Sequence, residues 1–174
     1  MSVIINGSAG VTTNSGAVYD GISRGTAVAS TSGTSIDFTS IPSWAKRITV
    51  MFNNVSLSGT GNLLVQIGNG TPTTTGYTSN TTFAATVVGI VSSTAGMVIQ
   101  AGAAGYITYG TLVLTNISGN IWIADGVLGN STTTAFTITS SGIVTLASAL
   151  NMLRITSTTG TDTFDGGSLN ILYE

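Results

Sequence analysis

An all-β fold, a jelly-roll-like antiparallel β-sandwich behind an extended N-terminal arm, is what this chain of 174 residues predicts. Three observations carry the prediction. Apolar residues recur at every second position through short segments, which is the period of a half-buried strand and not of a helix. Glycine, 23 in all, punctuates those segments, while proline occurs only twice. Polarity comes mainly from Ser, Thr and Asn, and β-branched Thr suits a pleated, half-exposed surface.

The elements follow in order. Residues 1–30 form the arm, rich in Gly, Ser, Thr, Asn and Ala, with one apolar run, Val3-Ile4-Ile5, as its candidate assembly contact. The domain proper, residues 31–174, opens with Ile36 and Phe38 alternating with Asp37 and Thr39. In KRITVMFNNV, Ile48, Val50 and Phe52 share one face, and Arg47, Thr49, Met51 and Asn53 the other. After the loop SGTGN (58–62), Leu63, Val65 and Ile67 form the next apolar face. Residues 68–80 lack apolar periodicity and read as a long loop. Residues 83–91 and 97–100 read as strands, buried or facing a partner chain. Gly119-Asn120 marks a hairpin turn, flanked by Leu112/Leu114 and Ile121/Ile123. Leu153 and Ile155, then Leu169, Ile171 and Tyr173, close the pattern. The total is about eight to ten strands after residue 34, spaced as in a sandwich.

The totals bound the function. The length suits one domain with a real core. Charged residues are only 6% of the chain, and none lies between Arg47 and Asp125. The 42% hydrophobic fraction and mean hydropathy of +0.45 separate it from disordered chains, which are polar and highly charged. A net charge of −2 with four cations supplies no basic patch for nucleic acid. Cysteine is absent, which excludes disulfides and thiolate metal sites. The start MSVIINGSAG has neither the basic nor the long apolar region of a secretory signal. The uncharged stretch 83–105 is long enough to span a bilayer, but Gly, Ser and Thr interrupt it and no Lys or Arg flanks it. Membrane insertion is therefore not expected.

Catalytic chemistry finds little to work with. Histidine, the commonest general base and metal ligand, is absent. Ser43-Trp44-Ala45-Lys46 fits the S-x-x-K pattern of serine acyl-transfer enzymes, but a strand follows where a helix is needed and the companion motifs are missing. The acids Asp20, Asp37, Asp125, Asp162, Asp165 and Glu174 sit mostly in turn-like stretches. DTFDGG (162–167) lacks the ligand spacing of a calcium loop, so a turn is expected there. Asn-x-Ser/Thr triplets, as at Asn54 and Asn116, follow from the composition. Trp44, Trp122, Tyr77, Tyr106 and Tyr109 are the candidates for a sugar-binding surface, although such residues more often fill a core or an interface. The expectation is a non-enzyme with no catalytic residue, cofactor or metal.

Three segments carry a resemblance: 32–68, GVLG (126–129) and 153–174. Their most specific parts are IPSWAKRITVMF and the ending TFDGGSLNILYE. They resemble a module of tailed-bacteriophage structural proteins, found in tail-fibre or spike-like proteins and in small virion surface proteins. The resemblance implies a jelly-roll-like sandwich, frequently a homotrimer, on the virion exterior, with no catalytic residues to carry over. In that setting Trp44 is expected to pack at the sandwich end, and Lys46 and Arg47 to begin a strand and pair with Asp37 or Asp165.

Two functions follow. The first is a capsid decoration, or cement, protein: a trimeric knob whose arms lie on the major capsid protein or another virion protein. The second is a tail-fibre or tail-tip protein that binds a host surface glycan through loops such as 68–80. The charge-free span fits extensive protein–protein contact, since surfaces exposed in solution are normally rich in mixed charge.

Overall fold

The computed structural model describes residues 4–6 and 10–12 as backbone, and residues 21–85, 87–131 and 135–174. Sixteen strands are present among them. A separate hairpin joins β1 (Ile4–Asn6) to β2 (Gly10–Thr12), with Ile4 opposite Thr12 and Ile5 opposite Val11. Val3 lies outside the described residues. The strands β3 (Ser23–Arg24), β4 (Val28–Ala29), β5 (Ser35–Phe38), β6 (Arg47–Leu57), β7 (Leu63–Asn69) and β8 (Thr71–Pro72) follow. Then come β9 (Thr78–Ala84), β10 (Val88–Ser93), β11 (Met97–Ile99), β12 (Ile107–Ser118) and β13 (Ile121–Ser131). The last three are β14 (Phe136–Thr145), β15 (Met152–Ser157) and β16 (Phe164–Tyr173).

The chain is all-β, and no helix occurs among the described residues. A nine-stranded antiparallel sheet has the order β10-β9-β14-β13-β12-β6-β16, with the short β3 and β4 both along the far side of β16. A five-stranded antiparallel sheet has the order β11-β7-β15-β5, with β8 also on β7. The chain passes repeatedly between the two: β5 to β6, β6 to β7, and β15 to β16 each change sheet. Facing side chains from both sheets form one core. Ile48, Val50, Leu112, Leu114 and Ile138 of the large sheet meet Leu63, Val65, Ile67, Leu153 and Ile155 of the small one, all fully buried. Each such side chain contributes roughly 1.5–3 kcal/mol by leaving water.

The inward faces of β6, β7, β15 and β16 agree with the period-2 reading. β6 needs one device that the period alone does not supply. Its buried positions run Ile48, Val50, Phe52 and then Val55 and Leu57, a shift of one residue. Asn53 and Asn54 take up the extra residue, with Asn54 at φ 55°, and the pairing to β16 slips at the same place. The bulge keeps both halves of a long strand turned toward the core.

Three expectations change. Residues 83–91 are not one strand. β9 begins at Thr78, inside the stretch read as loop, and the chain turns over between Ala84 and Val88 to form β10. Polar Thr78–Thr82 hid the strand because its inward positions, Ser79 and Thr81, are hydroxyl residues buried in the core. Second, after residue 34 there are twelve strands among the described residues, two of them (β8 and β11) no longer than three residues. Third, within the segment assigned to the arm, residues 23–30 run along β16, where the Gly25 and Ser30 amides donate to the Ile171 and Gly167 carbonyls at 2.8 and 3.0 Å.

Candidate functional site

The two most specific resembling segments lie side by side. IPSWAKRITVMF leads into β6 and TFDGGSLNILYE is β16, with Ile48 opposite Tyr173, Val50 opposite Ile171 and Phe52 opposite Leu169. The pair is closed at its end by backbone bonds, the Lys46 and Arg47 amides both donating to the Glu174 carbonyl at 2.7 and 2.9 Å. Arg47 Nη1 also meets Glu174 Oε1 at 3.0 Å. Trp44 packs on Tyr173 with ring centroids 5.6 Å apart, at the same end of the sheet.

The expected pairing of Lys46 and Arg47 with Asp37 or Asp165 is therefore wrong. Strand register decides it. Asp37 stands opposite Arg154 in the small sheet, and the two form a bidentate pair at 2.7 and 2.6 Å. That hydrogen bond raises the Arg154 pKa above its ordinary value. Asp165 lies at the opposite end of β16 from Glu174, where it accepts the Ser56 hydroxyl. Lys46 Nζ reaches only the Ser43 carbonyl, at 3.4 Å, and not the Ser43 hydroxyl. The acids of DTFDGG divide in the same way: Asp162 accepts the Gly61 amide at 2.7 Å and Asp165 the Ser56 hydroxyl. No group of three or more His, Cys, Asp or Glu side chains comes together among the described residues.

The aromatic residues do not assemble into one platform. Trp122 and Tyr77 are buried, and Tyr106 packs edge-on against Phe136 with centroids 5.5 Å apart. Trp44 and Tyr109 are partly exposed, but they belong to opposite ends of the sheet. Tyr77 plays a structural part: its hydroxyl accepts from the Ile67 amide at 2.9 Å and donates to the Ile67 carbonyl at 3.3 Å. Burial pushes this phenol up to about 12, against the opposing pull of the Ile67 bond.

What the fold does assemble is a broad outer face on the large sheet. Register lines up Ile90, Thr82, Thr139 and Val127 in one row across β10, β9, β14 and β13. The next row holds Val88, Ala84, Thr137, Gly129 and Tyr109. Another runs Ser92, Asn80, Ser141, Asp125, Val113, Thr49, Leu172 and Arg24. Asp125 and Arg24 are thus four strands apart, about 19 Å at the usual strand spacing. Ile90 is 71% exposed and Val127 65%, so the apolar members of this face are unusually open to solvent. At its β9–β10 end a groove of about 400 Å³ is lined by Tyr77, Thr78, Ser79, Asn80, Ser92, Ser93 and Thr94, none of them charged. Sequence reading names Tyr77 and the stretch 68–80 as glycan-binding candidates but misses Ser92, Ser93 and Thr94, because Ser and Thr there show no contrast with their neighbours. The one available signal was the absence of charge from residue 48 to 124.

No protein-family model matches the chain, and no curated protein or solved structure matches it.

Proposed function

We propose that this chain is a non-enzymatic structural protein of a tailed-phage virion: a jelly-roll-like capsid decoration protein that sits on the head exterior as a trimeric knob and stabilises the shell through the major capsid protein or another virion protein. The observation that carries the reading is the wide outer face of the large sheet, apolar and hydroxyl-bearing and almost without charge. Such a face is suited to lasting contact with protein. The adjacency of the two phage-like segments as β6 and β16 is in keeping with a shared structural module rather than a shared active site. Three arms per trimer would multiply weak contacts into firm attachment.

A second reading, a tail-fibre or tail-tip protein binding a host glycan, draws on the uncharged groove between β9 and β10, whose hydroxyl and amide groups match the hydrogen-bonding chemistry of a sugar. Quantitative mass spectrometry of purified virions separates the two. A copy number near that of the major capsid protein is the expected result for decoration. A few to a few dozen copies per particle moves the protein to the tail, where a glycan screen against Asn80→Ala tests the groove. Absence from the particle overturns both.

A further inference from the structure

The large sheet ends in a strand that nothing covers among the described residues. β10 pairs with β9 on one side through six consecutive residue pairs, Val88 opposite Ala84 to Ser93 opposite Ser79, without a bulge. Its outer side presents unpaired backbone groups, and Val87, Val88 and Ile90 beside them are 75%, 65% and 71% exposed. It carries no Lys, no Pro and no charge of either sign. Those are the devices by which sheet edges are normally kept from pairing.

The other edges of the two core sheets are each dealt with. The far end of the large sheet is broken into β3 and β4, two residues apiece. β5, at one end of the small sheet, carries a charge, Asp37, on its solvent-facing side, paired with Arg154 of β15. β11, at the other end, has its outward groups taken by the facing sheet: the Val98 amide donates to Ser79 Oγ at 2.9 Å and the Val98 carbonyl accepts the Ser140 hydroxyl. The contrast singles out β10.

We propose that β10 is the seam at which two copies of this chain join, strand to strand and antiparallel, about a two-fold axis near Ile90. A second copy fits this edge for a reason of charge. Two-fold pairing sets the edge against a reversed copy of itself, so a net charge on the edge would face a like net charge. No charged residue occurs from position 48 to 124, which spans β10, β9 and the strand before them. The register helps as well. Centred on Ile90, the pairing sets Val88 against Ser92, Gly89 against Val91 and Ile90 against its own copy, an apolar cross-strand pair. The row Ile90-Thr82-Thr139-Val127 then continues into its duplicate, and two outer faces become one surface. A six-residue seam covers less than the roughly 800 Å² per partner of a standard interface. The dimer is accordingly weak and its population rises with concentration. The contact is independent of the proposed place on a virion. If trimers form through other faces, the same two-fold joins trimers in pairs.

The absence of native cysteine makes the test direct. Ile90→Cys, treated with a short bis-maleimide, is expected to give a covalent dimer at least tenfold faster than Ile117→Cys, an exposed position (57%, against 71% for Ile90) beside the β12–β13 turn. Sedimentation equilibrium of the unmodified chain should show mass doubling with concentration. Ile90→Lys should abolish the doubling while leaving the far-ultraviolet dichroism unchanged. Equal cross-linking at both positions, a mass independent of concentration, or doubling that survives Ile90→Lys in a folded protein overturns the proposal. None of these outcomes bears on virion copy number, so the two readings fail separately.

Discussion

Tyr77 shows how much one hydroxyl can hold. It satisfies both backbone groups of Ile67, a fully buried residue in the middle of β7. Tyr77→Phe leaves that amide without a partner and is expected to cost about 1–3 kcal/mol in urea unfolding. The pH dependence has a definite sign. The unfolded phenol ionises near 10 and the folded one near 12. Above pH 10 the unfolded chain therefore releases a proton that the folded chain keeps, and stability falls by up to about 1.4 kcal/mol per pH unit until pH 12. Unfolding midpoints measured from pH 9 to 11.5 should show this decline in the native chain and a shallower one in Tyr77→Phe. Gly167 is bound by geometry: its φ is +87°, and a Cβ would lie 2.2 Å from the Asn54 carbonyl oxygen. Gly167→Ala should lose about 2 kcal/mol or more, read from the same unfolding curves. Thr108 goes the other way. It is fully buried, and its hydroxyl has no hydrogen-bond partner. Thr108→Val should raise stability by about 1 kcal/mol.

At the scale of elements, β11 is the strand that depends most on the opposite sheet. It is three residues long, and Ser79 and Ser140 reach across the core to bond Val98. Gly142 allows the approach, since a Cβ there would lie 2.4 Å from Met97 Sδ. Replacing both serines with alanine should free the β11 amides to exchange with solvent at least tenfold faster while β12 and β13, the long central strands, keep their protection. Hydrogen exchange followed by mass spectrometry reads both at once. The β6–β16 pair was the element most legible in the sequence. Ile48, Val50 and Phe52 and their partners Leu169 and Ile171 alternate cleanly because one face of each strand is buried. β9 was the least legible. Its inward residues Ser79 and Thr81 are hydroxyl-bearing, so the period-2 contrast between buried and exposed positions vanishes.

The whole molecule has almost no titration chemistry in the neutral range. It contains no His and no Cys, the side chains whose ordinary pKa values fall between about 6 and 9. Its two ion pairs among the described residues are both partly exposed and add little. Stability should therefore stay level from pH 6 to 9 and change little between low and high salt, which thermal unfolding in a buffer series checks. Cohesion rests on the apolar layer between the sheets, and the outer face of the larger one remains open among the described residues.

The sequence by itself determined that the chain is all-β, which residues of β6, β7, β15 and β16 face inward, and that no histidine, cysteine or clustered cation is on hand. Those properties follow from composition and from a side-chain period of two, both of which are local. Only the tertiary structure decided what is next to what. Arg47 meets Glu174 and not Asp37, the five candidate aromatics scatter, and β10 becomes an edge uncovered among the described residues. Strand order and register set these neighbours, and both are fixed by contacts between residues up to 150 positions apart, as Ser23 and Tyr173 are, beyond the reach of any local pattern.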